Sequence, residues 1–417
     1  MAEERKTHFD TTAVHAGLEE SQPYGATVAP IVQSSSFAYK SAKELEDVFA
    51  GRSLGYIYSR INNPTVACLE KKLTALENGI GAVACASGMA AITVAVASIA
   101  AHGDEIIAGN SLFGGTYSLF AHTLARFDIR AKFVESSDTG SYLHAISERT
   151  KLIFVESVGN PKLDIPDIKA ISTIAHQAGI PLIVDNTVTT PYLFQPREWG
   201  ADIVIHSSTK YLNGHGNSVG GVIVDMGTFG WNGEKYRDFR PYLERFGDMA
   251  YLSKIRKEVH RDFGPCLSPL NAFLTVTGIE TLGLRMQRHC DNALALAVFL
   301  KGQKKIQWIN YPGFPEHPRF SLAARQFHNK FGALVTFGMG SKEKAFAVID
   351  SLRLSKNLAN LGDARTLVIH PASTICADFS EDKKREMGVT EDMVRVSAGI
   401  EDSRDIIDDF REALEKV

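Results

Sequence analysis

Short apolar runs alternate with amphipathic stretches between residues 105 and 224, and this alternation constrains the fold more than any other feature. The apolar runs have the length of strands, while Gly115–Phe127 and Asp167–Ala178 have the periodicity of helices. Strands joined by helices in this way form a mainly parallel sheet that is covered on both faces. The predicted strands are Glu105–Ala108, Ala131–Val134, Leu152–Glu156, Leu182–Asp185, Ile203–His206 and Gly221–Val224.

The remainder of the chain divides into an irregular N-terminal segment and a smaller C-terminal domain. The first 65 residues carry turn signals without periodicity, so we expect an arm that wraps either another part of the molecule or a neighbouring subunit. The α/β domain then covers residues 66–264, and a smaller α+β domain covers residues 265–417. The predicted elements of this last domain are helices over Glu280–Leu300 and Ser403–Lys416 and strands over Ala333–Phe337, Leu367–His370 and Val394–Ser397.

Residues 226 to 264 interrupt the alternation with aromatic side chains set among many charges. This segment is too aromatic to be a linker, and it therefore has to fold onto something. We predict a surface excursion that packs on its own domain, and the alternative is a lid or a partner-binding surface.

Composition and charge argue against several classes of protein. The uncharged stretch Ala82–Ala101 could span a bilayer, but its small residues predict a helix buried inside a protein. Residues Met1–Thr7 lack the apolar core of a signal peptide. Five scattered cysteines suit a reducing cytoplasm and neither a disulfide framework nor a metal site. The net charge of -3 gives no electrostatic case for binding nucleic acid or an anionic membrane.

A lysine follows one of the predicted strands at the position where such sheets bind ligands. The strand Ile203–His206 runs into Ser207, Thr209 and Lys210, and a glycine-rich turn follows. Ligands of open α/β sheets bind beyond the carboxyl ends of the strands. Lys210 could therefore bond an aldehyde carbon as a Schiff base, with the two hydroxyls donating to a phosphate. A solvated surface lysine is the simpler alternative.

Two further features fit the same kind of site. Asp185 ends the preceding strand, where a buried carboxylate could keep a pyridine ring protonated. Ser87 and Gly88 begin the apolar helix, and the free N–H groups of a helix N-terminus suit an anion. Each has a simpler reading by itself, as a turn former for Asp185 and as a helix cap with a close-packing glycine for the pair.

Taken together, the motifs resemble those of the Cys/Met metabolism family of pyridoxal-phosphate (PLP) enzymes, from about residue 10 to the C-terminus. This resemblance implies an aspartate aminotransferase-like PLP transferase of fold type I, built as a homotetramer of two dimers. The six motifs that carry it, in family order, are Tyr58–Thr65, Ser87–Ala91, Glu156–Pro161, Asp185–Thr187, His206–His215 and Val394–Glu401.

The resemblance also implies a role for each residue of the site. Lys210 would bond PLP and move protons, while Asp185 would pair with the ring nitrogen. Arg395 would bind the substrate carboxylate with help from Asn160, since a guanidinium fork matches two oxygens. Tyr58 and Arg60 would reach the phosphate from a neighbouring subunit. The remaining cofactor-binding residues would be Gly88, Met89, Phe113, Thr187, Ser207 and Thr209.

Two features resemble the O-acetylhomoserine sulfhydrylase branch, which are the aromatic insert after Met226 and Asn360-Leu-Gly in place of the lyases' Ser-Leu-Gly. This branch replaces the acetyl ester of O-acetyl-L-homoserine with sulfur, giving homocysteine for methionine biosynthesis. A cystathionine γ-synthase is the first alternative and a γ-lyase the second. A nucleotide-binding oxidoreductase is disfavoured, because no G-x-G-x-x-G follows the first strand. A non-catalytic binding protein is also disfavoured by the three residues Asp185, Lys210 and Arg395.

The chain departs from the family pattern at two positions. Phe113 stands where the family usually has a tyrosine, so ring stacking is kept but a phenol that could move protons is lost. Cys376 falls in Thr374-Ile-Cys, where the family reads Thr-Thr-His. A sulfur relay through Cys376 is conceivable, but a bystander thiol is the preferred reading.

Overall fold

A computed structural model describes residues 7–18 and 23–417 of the chain. The N-terminal residues Met1–Lys6, on which most of the signal-peptide argument rests, lie outside this range. The twelve strands of the described residues are β1 Gly81–Cys85, β2 Glu105–Gly109, β3 Arg130–Val134, β4 Thr150–Glu156, β5 Leu182–Asp185, β6 Ile203–His206, β7 Gly221–Asp225, β8 Trp308–Asn310, β9 Leu334–Gly338, β10 Lys356–Asn357, β11 Leu367–Ile369 and β12 Met393–Ser397.

The first seven strands form one sheet in the order β1-β7-β6-β5-β4-β2-β3. Strands β3, β2, β4, β5 and β6 run parallel, and β7 is antiparallel to both of its neighbours, β6 and β1. The prediction of a mainly parallel sheet is therefore confirmed. In its register, Asp185 lies beside Glu156 on one side and beside Ile205 on the other. The carboxyl ends of β4, β5 and β6 thus meet at one edge of the sheet.

Seventeen α-helices of the described residues surround the two sheets, with short 3₁₀ and π turns between them. They are α1 Phe9–His15, α2 Ala42–Phe49, α3 Pro64–Leu76, α4 Gly88–Ala97, α5 Gly114–Ser118, α6 Thr139–Ala145, α7 Ile168–Gln177, α8 Thr190–Leu193, α9 Arg240–Phe246, α10 Ala250–Lys257, α11 Val259–Phe263, α12 Pro269–Glu280, α13 Leu282–Lys301, α14 Phe320–Gln326, α15 Lys342–Ser351, α16 Glu381–Glu386 and α17 Ser403–Glu415.

Two of the predicted helices need correction. The stretch Ala82–Ala101 is not one helix, because its first residues belong to β1 and only Gly88–Ala97 is α-helical. Small apolar residues suit a buried strand as well as a buried helix, and Ser87 then supplies the cap that starts α4. The predicted helix Gly115–Phe127 is broken into α5, a π turn and a 3₁₀ turn.

The second sheet has five strands in the order β10-β11-β12-β9-β8, with β12 at its centre. Its apolar core packs against α13, α15 and α17. A separate core lies on one face of the large sheet and also includes Ala272 and Met286, which come from α12 and α13. Because this core crosses residue 264, the division of the chain at that residue stays a prediction.

The aromatic insert packs on its own domain, as predicted. The ring of Trp231 is stacked against those of Phe239 and Tyr251, with centroid distances of 4.4 and 5.0 Å. These rings join the core that α4 forms with the sheet. The hydroxyl of Tyr236 also donates to the backbone oxygen of Lys151 at 2.7 Å. The aromatic side chains Trp231, Tyr236, Phe239 and Tyr251 are therefore part of the core of their own domain.

Part of the N-terminal segment packs on its own chain. Ala13 of α1 is buried in the core beside α3, and the buried amine of Lys72 donates to the backbone oxygens of Ala13 and Val14. Across the described ranges, every helix is too short or too polar to cross a membrane. The same residues contain no cluster of three or more histidine, cysteine and acidic side chains able to hold a metal ion.

Candidate active site

A cavity of about 220 Å³ lies at the carboxyl ends of β4, β5 and β6, between the large sheet and the second sheet. The parallel topology explains its position, because these strand ends converge at one edge. Most of the residues singled out in the sequence line this cavity. They are Gly88, Met89, Phe113, Asn160, Asp185, Thr187, Ser207, Thr209, Lys210 and Arg395.

The amine of Lys210 projects into the cavity just beyond the end of β6. Its Nζ donates to Oδ1 of Asn360 at 2.5 Å. Burial, together with the nearby charge of Arg395, lowers the pKa of Lys210 to about 8. A large share of neutral amine is thus present slightly above neutral pH, as a nucleophile or a base requires.

Two carboxyl groups lie side by side opposite this lysine, at the ends of β4 and β5. Burial and the charge of Asp185 raise the pKa of Glu156 well above its ordinary value. Burial also raises the pKa of Asp185, although hydrogen bonds from Thr187 oppose this shift. Like charges this close cannot both ionise easily. We therefore assign the proton to Glu156 and the negative charge to Asp185.

The N-terminus of α4 forms the third wall, where Ser87 caps the helix by accepting from the N–H of Ala90. The first-turn N–H groups of Gly88 and Met89 have no partner within the helix by its geometry. A Cβ on Gly88 would lie 2.6 Å from Cβ of Ser207, so only glycine allows this approach. Ser207 and Thr209 line the cavity beside these N–H groups, a combination that suits a phosphate, although the hydroxyl of Thr209 donates to the backbone oxygen of Gly220 at 3.2 Å.

Arg395 reaches the cavity from the second sheet and is almost completely buried. Its Nη1 donates to Oδ1 of Asn160 and its Nη2 to the backbone oxygen of Asn360, each at 2.9 Å. Its Nε is buried without a hydrogen-bond partner. Burial lowers the pKa of Arg395 only to about 10, so the group stays charged at neutral pH. A buried cation with a donor to spare is suited to a carboxylate.

Comparison with known proteins gives this cavity its context. The family model described as "Cys/Met metabolism PLP-dependent enzyme" matches residues 10–415. The chain belongs to this family. Its relatives include the sulfhydrylase FUB7 of Gibberella moniliformis, which is 42% identical over 100% of this chain and 99% of that protein. The homocysteine synthase of Schizosaccharomyces pombe is 41% identical over 98% of both chains.

A solved structure from Campylobacter jejuni, described as a candidate O-acetylhomoserine (thiol)-lyase, superposes on this PLP-dependent enzyme with a TM-score of 0.94. It is 33% identical in sequence, and the match covers 98% of this chain and 100% of that one. That structure contains a lysine joined to the cofactor, as pyridoxyl-lysine 5'-monophosphate. The expected fold type I is thereby confirmed, as is the family's cofactor, PLP.

The residues of the cavity fit PLP. At the start of α4, Gly88 approaches Ser207 closely beside the first-turn N–H groups, and Lys210 and Asp185 line the same cavity. A buried carboxylate beside a protonated neighbour is a suitable partner for a protonated pyridine nitrogen.

Phe113 lies at the start of α5 and is 40% exposed, with its ring on the open side of the cavity. Its backbone N–H donates to Oε1 of Glu156 at 2.6 Å. A Cβ on Gly115 would lie 2.6 Å from this ring, so the absence of a side chain at Gly115 leaves room for the ring. Phe113 therefore offers an aromatic face and no hydroxyl, and no tyrosine, histidine or cysteine lines the cavity within the described residues.

Tyr58 and Arg60 are the two predicted cofactor-binding residues that the structure does not bring to the cavity. The side chain of Tyr58 is 43% exposed, and the guanidinium of Arg60 lies 5.5 Å from its ring centroid. The Nη1 of Arg60 donates to the backbone oxygen of Arg261 at 2.5 Å. Within a single chain, these two side chains form a pair on the surface.

Sequence reasoning assigned no role to Glu156 or Asn360, although both lie in stretches that it singled out. Glu156 ends a predicted strand next to the one that ends in Asp185, and this alone could have signalled the carboxyl pair. Asn360 gave no such signal, because its contacts with Lys210 and Arg395 join segments that are 150 and 35 residues apart.

Cys376 does not line the cavity, although its neighbour Ile375 does. The thiol is buried in a small apolar cluster with Ala372, Met387 and Val389. Burial raises the pKa of Cys376 to about 11, so the reactive thiolate is scarce at neutral pH. The reading as a bystander thiol is supported by this environment.

Proposed function

We propose that this PLP-dependent enzyme catalyses a γ-replacement in which O-acetyl-L-homoserine and hydrogen sulfide give L-homocysteine and acetate, for methionine biosynthesis. The observation that carries the proposal is the single cavity in which Lys210, Asp185 and Arg395 face one another. The printed names of the relatives, a sulfhydrylase, a homocysteine synthase and an O-acetylhomoserine (thiol)-lyase, support this substrate class.

In this proposal the chain holds PLP from three sides. The amine of Lys210 would bond its aldehyde carbon, and Asp185 would pair with its ring nitrogen. The start of α4 and the hydroxyl of Ser207 would hold its phosphate, together with Thr209 once its hydroxyl turns away from Gly220. When bound, PLP supplies the electron sink that acidifies the protons on Cα and Cβ of the substrate.

Arg395 orients the amino acid, because its free Nε and its positive charge attract the substrate carboxylate. Asn160, whose Oδ1 accepts from Arg395, keeps its amide NH₂ available for the same carboxylate. Lys210 Nζ would take the protons from Cα and Cβ of the substrate and would return protons after sulfur has added at Cγ. Acetate leaves Cγ with the electron pair of the broken C–O bond.

Phe113 favours an ester as the substrate over a thioether. Acetate is a weak base and leaves as an anion at neutral pH without a proton. A thiolate leaving group is far more basic and gains much from a nearby acid, which a phenol could supply but a phenyl ring cannot. Because Phe113 cannot supply that proton, this position supports the sulfhydrylase over the lyase.

The first experiment gives purified, PLP-loaded protein O-acetyl-L-homoserine with either sulfide or cysteine and identifies the products by mass. Homocysteine with sulfide, and little cystathionine with cysteine, is the expected result. Mainly cystathionine would instead assign the protein to the γ-synthases. 2-Oxobutanoate as the main product even with saturating sulfide would assign it to the γ-lyases.

We further propose that the enzyme works in the cytoplasm as a homotetramer. The five cysteines are all free in the structure, which suits a reducing compartment. Exposed Tyr58 and Arg60 are available to complete the phosphate site of a neighbouring subunit. Mass photometry of the loaded protein tests the assembly directly.

A further inference from the structure

Asn360 contacts both of the cationic side chains in the cavity, and it does so with different parts of the residue. Its side-chain Oδ1 accepts from the amine of Lys210 at 2.5 Å. Its backbone oxygen accepts from Nη2 of Arg395 at 2.9 Å. Within the described residues, no other residue accepts a hydrogen bond from both.

The segment that carries Asn360 lies between β10 and β11 of the second sheet, whereas Lys210 follows β6 of the first. The hydrogen bond between Asn360 and Lys210 therefore links the two sheets across the cavity, and it does so at the amine of the lysine. The other charged or titratable side chains that line this space are Glu156 and Asp185 from the large sheet and Arg395 from β12. No hydrogen bond joins either carboxyl group to Lys210 in the described structure, so the amide is its direct polar partner.

We propose that Asn360 is a positioning residue, which holds the displaced amine of Lys210 in register with a substrate anchored on Arg395. The proposal rests on the proton-transfer role proposed for Lys210. It does not depend on which ester or sulfur donor the enzyme uses.

The chemistry of an amide explains why this residue type suits the position. A neutral lysine amine has two N–H donors and one lone pair, and only the lone pair can take a proton. An acceptor that engages one N–H fixes the direction of that lone pair. A carboxylate in the same place would stabilise the charged ammonium and oppose proton transfer, whereas the amide oxygen carries no net charge.

The decisive test exchanges the amide for a carboxylate. Asn360→Asp places a negative charge beside Nζ and stabilises the ammonium form. Only the neutral amine bonds an aldehyde, so the rate of PLP uptake by the cofactor-free protein should rise through a higher pH than in the wild type. We expect the midpoint to move up by about one unit or more, or uptake about tenfold slower at pH 7.5.

The matched control is Asn357→Asp, which makes the same change on exposed β10, three residues away and outside the cavity. This variant should take up PLP with the wild-type midpoint. If the two aspartate variants behave alike, the contact with Lys210 does not act on its amine, and the proposal is wrong. Because this assay uses PLP alone, that result says nothing against the proposed substrate. Failure of the wild-type protein to bind PLP would instead overturn the proposed function.

A second variant separates positioning from structure. Asn360→Leu removes the side-chain acceptor but keeps the backbone oxygen that holds Arg395. In the PLP-loaded enzyme we expect kcat to fall about tenfold, because one hydrogen bond to the amine is lost. The KM for the amino-acid substrate should stay within about twofold of the wild-type value. A raised KM with an unchanged kcat would show that Asn360 acts only through Arg395, and it would overturn the proposal.

Discussion

The inner wall of the cavity and the N-terminal arm represent two different ways of building a site. The inner wall consists of side chains at the ends of adjacent strands, and Lys210, Asp185 and Glu156 lie there within one chain. The arm offers Tyr58 and Arg60, which in the same chain lie on the surface against each other and against Arg261. The first region is completed by the fold of the chain, whereas we propose that the second is completed only against a neighbouring subunit.

This difference shows what a parallel sheet can and cannot position. Strand ends meet at one edge whatever their separation in sequence, so β4, β5 and β6 bring their residues together by topology alone. An arm without its own core takes its place from whatever it packs against. Substitutions in the inner wall should therefore change chemistry, whereas those in the arm should change how tightly the cofactor is held.

The largest effect is expected for Lys210→Ala in the inner wall. Without this amine there is neither a covalent attachment for PLP nor a base at Cα, so turnover should fall at least about 10³-fold. The visible absorbance of the bound cofactor should be lost while circular dichroism stays unchanged. Lys356→Ala, an exposed lysine on β10, is the control and should keep full turnover. Substantial activity in Lys210→Ala would sink the assignment of this lysine.

A smaller but still large effect is expected for Arg395→Gln. Hydrogen bonds to a charged group contribute about 1.5–3 kcal/mol each, so losing them should lower kcat/KM about 10²-fold or more, mainly through KM. The charge of Arg395 helps to lower the pKa of Lys210 to about 8, so its removal should move the pH midpoint of PLP uptake above that of the wild type. Arg404→Gln, at an exposed arginine paired with Asp402, should change neither quantity. If the midpoint does not change, the charge of Arg395 does not affect the pKa of the Lys210 amine.

The comparison becomes sharper with Arg60→Ala in the arm. If this guanidinium completes the phosphate site of a neighbouring subunit, the PLP concentration for half-maximal activity should rise about tenfold, the worth of one charge-assisted bond. At saturating PLP, kcat should stay close to that of the wild type. Arg52→Ala, which breaks an exposed ion pair with Asp47 in the same arm, serves as the control. An unchanged PLP requirement would mean that the arm does not take part in the site.

The same contrast explains which parts of the fold and of the site could be predicted from the sequence. The strands that end in Asp185 and His206 were predicted with their observed bounds, because fully buried strands give clear apolar runs. Strand β1 was missed, since alanine and other small residues carry little information about whether a stretch is strand or helix. Asn360 could not be assigned a role from the sequence, because contacts between the two sheets leave no periodic pattern in either segment.

The smallest effect is expected at Cys376, which lies near the cavity but behind its wall. A sulfur relay would need a thiolate that faces the substrate, whereas this thiol is buried among apolar side chains and its pKa is raised to about 11. Cys376→Ala should therefore leave kcat and KM for sulfide within about twofold, with a loss of about 1 kcal/mol in the free energy of unfolding from the small void. Ala377→Ser, on the adjacent residue, controls for disturbance of the segment. If kcat with sulfide instead falls tenfold or more without a comparable loss of stability, Cys376 takes part in the reaction. The segment around Ile375, which separates this thiol from the cavity, would then have to let it reach the substrate.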